Sequence, residues 1–134
     1  MARYVIDAPT LLHLVDAGLQ VHPSHQLIAP NSIRSEALEL LLSYVRAGQR
    51  TEASALEAHE RMTAVKLRLL GDRVSRRTAW QLAREHDWPI LRQAEYLAVT
   101  RLQADALVTV DPGLASTARD VVAVATVDDL LSPG

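Results

Sequence analysis

Short β-prone runs that stop at an acid or a turn and lead straight into a helical segment recur along this chain, and that alternation constrains the fold more than any other feature. Tyr4-Val5-Ile6 ends at Asp7, and Pro9 opens an apolar-periodic segment (Leu11, Leu12, Leu14, Val15) that stops at Gly18. Gln26-Leu27-Ile28-Ala29 is a second run, after which Pro30-Asn31-Ser32 supplies helix-start chemistry for Ile33 onward. Ala106-Leu107-Val108-Thr109-Val110 is a third, ending at Asp111 before a Pro112-Gly113 turn and a short helix to about Arg119. Val121 to Val124 reads as the last strand, and Thr126 with Asp129 has the form of a capping box over a final turn through Leu130 and Leu131. Strands alternating with helices predict a parallel sheet covered on both faces.

The middle of the chain reads as helix. The stretch 51–70 has no internal Gly or Pro and predicts one helix ended by Gly71. Ser75 then opens a helix through Ala79, Trp80, Leu82 and Ala83, Asp87-Trp88-Pro89 breaks it, and another runs from about Leu91 to Leu102. On the helix after the second strand, Ile33, Ala37, Leu40, Leu41 and Tyr44 share a face. Glu36 falls at its margin and Glu39 points away.

With 134 residues, of which 49% are hydrophobic, the chain fits one α/β domain over 1–134 with a substantial core. There is no Phe and only 4% aromatic content, so that core must be aliphatic. A formal net charge of -2 gives no global pull toward nucleic acid, and any polyanion site must be local or bridged by metal. Absence of Cys excludes disulfides and thiolate metal sites. Asp7 interrupts the first apolar run too early for a signal-peptide core, and no apolar run reaches spanning length. A soluble cytoplasmic protein with no membrane partner is expected.

In open parallel sheets, ligand sites form beyond the carboxyl ends of the strands. Asp7 and Asp111 both fall at that edge, and Glu36, near the start of its helix, can face the same crevice. Each acid has an ordinary alternative: Asp7 and Asp111 as helix caps, Glu36 as a solvated first-turn acid. Together, three carboxylates on one edge call for a cation between them, and a hard ion such as Mg2+ or Mn2+ suits an all-oxygen shell. Such an ion could lower the pKa of a bound water and orient it for attack on phosphorus, with a second ion about 3.5 to 4 Å away aiding the leaving oxygen.

These residues resemble a known family. The segments Tyr4-Val5-Ile6-Asp7-Ala8-Pro9-Thr10-Leu11-Leu12, Ala29-Pro30-Asn31-Ser32-Ile33-Arg34-Ser35-Glu36 and Leu107-Val108-Thr109-Val110-Asp111 are similar, in order and spacing, to the motifs of PIN-domain proteins. Within them the likeness is to the VapC-type ribonuclease toxins of bacterial toxin-antitoxin pairs. The resemblance implies a three-layer sandwich of PIN type with a central parallel sheet of four to five strands. It also implies Mg2+- or Mn2+-dependent endoribonuclease activity, homodimerisation, and a cognate antitoxin that covers the acidic groove. Asp7, Glu36 and Asp111 fall on the family's acidic, metal-holding positions. One position departs: where the family has an aspartate at a helix start, this chain has Gln93, in Gln93-Ala94-Glu95-Tyr96-Leu97-Ala98. An amide brings no charge, so the site is expected to hold its cation more weakly, and a PIN-fold protein acting through RNA or antitoxin binding is the alternative.

Other residues invite functional and ordinary readings side by side. Thr10 can orient Asp7 or a metal-bound water, or simply open its helix. Arg73, Arg76 and Arg77 can contact RNA phosphates or form a solvated helix face. His22 and His25 have ligand-like spacing without a completing partner and read as surface histidines. Trp80 and Trp88 read as core or dimer-face residues rather than platforms for base stacking. No Gly-x-Gly-x-x-Gly turn or Walker loop is present, and the single lysine, Lys66, falls in mid-helix rather than after the last strand, which removes nucleotide-binding and phosphoacceptor alternatives.

Overall fold

The computed structural model describes residues 2–134. Five short strands form one parallel sheet: β1 (Arg3–Ile6), β2 (Gln26–Pro30), β3 (Arg68–Leu70), β4 (Ala106–Val108) and β5 (Val124–Ala125), in the order β3-β2-β1-β4-β5. Val5 is in register with Ile28 on one side and Leu107 on the other. The helices are α1 (Ala8–Asp16), α2 (Ile33–Arg46), α3 (Glu52–Thr63), α4 (Arg73–His86), α5 (Leu91–Gln103), α6 (Pro112–Ala118) and α7 (Val127–Leu131). Helices α1, α2 and α3 pack on one another, while α5 lies against β1, β2 and β4 and carries α4. The sheet flanked by helices is the layered parallel architecture expected from the alternation of strands and helices.

β1 is central, which makes the order of the chain matter for the site. Its two neighbours arrive from opposite ends of the sequence, and the strand order reverses around it. Val5, Ile6, Ile28 and Leu107 are fully buried, as strands covered on both faces require. From α1, α2 and α5, Leu11, Ile33, Leu41 and Leu97 close over them, also fully buried. Each such side chain contributes about 1.5–3 kcal/mol of transfer free energy. At the end of α1, Gly18 adopts φ +64°, the left-handed conformation that suits glycine just past a helix.

Three boundaries differ from the expectation. The stretch 51–70 is not one helix: α3 ends at Thr63, and Arg68–Leu70 is the edge strand β3, paired with β2. Thr63 turns its hydroxyl back onto the carbonyl of Glu60, and the backbone N-H of Val65 bonds to Met62. The alternation Val65-Lys66-Leu67-Arg68 carried the strand signal, since Val65 and Leu67 are half-buried and Lys66 and Arg68 exposed. The last strand is confined to Val124–Ala125, because the N-H groups of both Val121 and Val122 bond to the carbonyl of Ala118. The run through Val110 stops pairing at Val108, and this frees Thr109 for the site.

Two helix starts carry reciprocal caps, while α2 and α5 begin without a side-chain cap. Asp72 and Ser75 form a reciprocal capping box on α4, two residues before the predicted opening, and Thr126 and Asp129 form the predicted one on α7. Trp80 is 61% exposed, so it is not a core residue, while Trp88 is half-buried with its ring stacked on His86 at 4.7 Å. Among the described residues no helix is long and apolar enough to cross a membrane.

Candidate functional site

Asp7 follows the last residue of β1, and its extended backbone delivers the carboxylate to the carboxyl edge of the sheet. It is 4% exposed. Its Oδ1 accepts from the backbone N-H of Thr10 at 3.2 Å and from the Thr10 hydroxyl. Its Oδ2 accepts from the Thr109 hydroxyl at 2.7 Å. Asp7 thus caps α1, the ordinary reading of its position, but a cap needs neither burial nor a second hydroxyl from a residue 102 positions away. Desolvation raises its pKa above the usual 3.8, and the bonds from Thr10 and Thr109 pull in the opposite direction without cancelling it.

The two threonines bind the first and last motifs into one network. The Thr10 hydroxyl, fully buried, also accepts from the backbone N-H of Val110 at 3.0 Å. The Thr109 hydroxyl accepts from the backbone N-H of Asp111 at 3.0 Å. Asp111 is therefore one hydroxyl away from Asp7 in the hydrogen-bond chain. Its Oδ1 accepts from the Gly113 N-H at 2.9 Å, capping α6. Thr109 was missed as a site residue from the sequence. Its alternation with the apolar Val108 and its place two residues before Asp111 were the available signals.

Glu36 reaches the crevice from the first turn of α2. Its Oε2 accepts from the Ser32 hydroxyl at 2.8 Å and from the Tyr96 hydroxyl of α5 at 2.7 Å. Burial, then the charge and hydrogen bond of Glu36, hold the Tyr96 phenol far above its usual range, with Asp7 contributing further. Tyr96 therefore stays a proton donor to Glu36 at every working pH, and it feels both carboxylates. It too was overlooked as a functional candidate, although it sits three residues after the departing Gln93 and one turn after Arg92.

Gln93 itself is exposed on the first turn of α5. Its neighbour Arg92 is the residue turned toward the acids, with Nε 3.9 Å from Glu36 Oε1 and Nη1 3.6 Å from Glu39 Oε2. Glu95 is half-buried on the same helix. Arg73, Arg76 and Arg77 are exposed on α4, and Arg76 donates to the carbonyl of Gly71 at 3.2 Å. The two histidines are not free surface residues: His22 shares a hydrogen bond of 2.7 Å with Ser24, and His25 lies 2.5 Å from the carbonyl of Ser132 and edge-on to Tyr4.

Among the described residues, no three of His, Asp and Glu stand close enough together to form a ready-made metal cage. The donor set is nevertheless all hard oxygen, and Glu36 Oε1 takes neither of that residue's hydrogen bonds. These groups fit an open Mg2+ or Mn2+ site, in which few carboxylates hold the ion and waters or substrate phosphate complete its shell.

No model of a protein family matches the chain, and no curated protein matches it. Solved structures do. The chain is similar to the crystal structure of PAE2754 from Pyrobaculum aerophilum, with a TM-score of 0.70 and 20% identity over 97% of this chain and 94% of that one. It is also similar to the structure of VapBC-1 from nontypeable Haemophilus influenzae, with a TM-score of 0.57 and 13% identity over 92% and 97%. At these identities what is shared is the fold, and it is the fold that the strand motifs led one to expect.

Proposed function

We propose that this chain is a metal-dependent endoribonuclease, the toxin of a toxin-antitoxin pair, with the carboxyl edge of β1 and β4 as its active site. One observation carries it: Asp7 is a desolvated carboxylate held by the Thr10 hydroxyl of the adjoining helix and by the Thr109 hydroxyl, 102 positions away. Burying a carboxylate costs free energy that a mere helix cap does not require, and such costs concentrate where chemistry is done. The likeness of fold to VapBC-1 supports the toxin assignment.

Asp7, Glu36 and Asp111 would hold a Mg2+ or Mn2+ ion, which when bound supplies charge for the phosphate and a more acidic water. The chain's own residues supply orientation. Thr10 and Thr109 fix both oxygens of Asp7, so the carboxylate is held in one orientation in advance. Tyr96 and Ser32 do the same for Glu36 through Oε2. Arg73, Arg76 and Arg77 offer exposed positive charge for flanking RNA phosphates. A homodimer and an antitoxin covering the groove are the partners that the resemblance to toxins of this type implies, and the likeness of fold to VapBC-1 supports the antitoxin.

A second function is favoured by the first turn of α5, where Gln93 is exposed and Arg92 faces Glu36. It is a PIN-fold protein with weak catalysis that acts by binding RNA or an antitoxin. RNA cleavage with Mn2+ separates the two. For the nuclease, the native chain cleaves, chelator stops it, and Asp7→Asn slows it at least about 100-fold, equivalent to about 2.7 kcal/mol of transition-state stabilisation. Undetectable native cleavage that Gln93→Asp restores would establish the binding protein instead. Cleavage indifferent to chelator and to Asp7→Asn would remove the metal site altogether.

A further inference from the structure

Arg92 stands in the first turn of α5, where a basic residue opposes the partial positive charge of the helix start. That turn contains no acidic residue, and Ile90 offers no side-chain cap. Compensation comes from across the crevice, where Glu36 and Glu39, one turn apart on α2, both face the guanidinium at 3.9 and 3.6 Å. The two carboxylates differ in setting: the Glu36 side chain is 16% exposed and that of Glu39 is 72% exposed. A charge partner matters more to the sheltered one.

Glu36 spends Oε2 on Ser32 and Tyr96, so the oxygen it turns toward Arg92 is Oε1. A divalent ion would need that same oxygen. We infer that Arg92 is a resident counter-cation of the crevice: it neutralises Glu36 when no ion is bound, competes with the ion for Oε1, and so keeps divalent-metal affinity low. Glu39 gives the displaced guanidinium a second anchor, which lets it leave Glu36 without leaving α2. This inference rests on the metal-dependent function proposed above, and it deepens the departure at Gln93: the site lacks one expected negative charge and carries an added positive one.

The test uses Mn2+ alone, titrated calorimetrically into the full chain and into Arg92→Gln, Arg92→Lys and Asp7→Asn. Arg92→Gln is expected to bind Mn2+ about threefold to fivefold more tightly than native, the scale of a partly exposed ion pair. Arg92→Lys, which keeps the charge, is expected to stay within about twofold of native. Affinity unchanged or weakened in Arg92→Gln, with binding still lost in Asp7→Asn, overturns the inference and leaves the metal site standing. Equal tightening in Gln and Lys variants also overturns it, because charge would not be the cause. Absence of Mn2+ binding in native and Arg92→Gln alike overturns both. Thermal unfolding with and without Mn2+ separates a structural role, since loss of packing would lower both transitions without enlarging the Mn2+ increment.

Discussion

At the carboxyl edge of the sheet, the inward side chains are acids and hydroxyls already bonded to one another. At the amino edge, by contrast, the loops before β2 and β3 enclose a hollow of about 640 Å3 lined by Leu14, Leu19, Val21 and Leu67 with His22, His25, Lys66 and Arg68. This hollow is therefore not where the acidic groups gather. The hollow has volume without a converging polar network, and its histidines are engaged by Ser24 and Ser132. The crevice has a desolvated carboxylate fixed by hydroxyls. The RNA substrate proposed above, long and flexible, would need an open edge with preset charge more than an enclosing pocket.

If the two edges share one core, a cavity between them should damage both. Leu107→Ala, at a fully buried position of β4, is expected to cost about 2–5 kcal/mol in denaturant unfolding. A smaller loss would mean that the edges are stabilised separately. Thr10→Val sharpens the contrast at the carboxyl edge alone. It removes a donor to buried Asp7 and the acceptor of the Val110 N-H, at a cost of about 1–3 kcal/mol. The same substitution in a network that contributed nothing would be neutral.

Asp7→Asn should move the other way. Burial raises the Asp7 pKa, so the native chain holds this proton more tightly than the unfolded chain does. Stability then falls as pH rises from the ordinary value of 3.8 through the raised native one, and the deficit persists at neutral pH. Removing the charge is expected to add about 0.5–2 kcal/mol at pH 7, measured by thermal unfolding, and nothing once the pH is below 3.8. A loss of stability at pH 7 would show that the carboxylate is held for structure.

The smallest effects belong to the amino-edge side. Asp16 closes α1 with a two-pronged bond to Arg50 at 2.8 and 2.9 Å, which holds its pKa down. The contribution of this pair is present above pH 3.8 and lost as pH falls through the lowered native value. Because Asp16 is 39% exposed, Asp16→Asn is expected to cost under about 1 kcal/mol and less in high salt. Val65→Ile, adding one carbon to the wall of the open hollow, should change stability by less than about 0.5 kcal/mol.

Much of this was legible before any coordinates. Aliphatic runs broken at Asp7, Pro30 and Asp111 gave the three central strands, and Asp, Thr, Pro and Gly marked the helix ends, because capping and backbone preferences act within a few residues. The edge strand Arg68–Leu70 escaped notice for a physical reason: two exposed residues and one half-buried one continue from a helix with no Gly or Pro between, the alternation from Val65 to Arg68 is short, and pairing with β2 decides their state.

The sequence by itself determined the parallel α/β class, the aliphatic core and the acids at the strand ends. Only the tertiary structure decided their surroundings. That Thr109 reaches Asp7, that Tyr96 bonds Glu36, and that Arg92 rather than Gln93 turns to the crevice all depend on contacts across 56 to 102 positions. Such contacts follow from how helices lie on the sheet and from the burial that this imposes, and neither is encoded in any short stretch of residues.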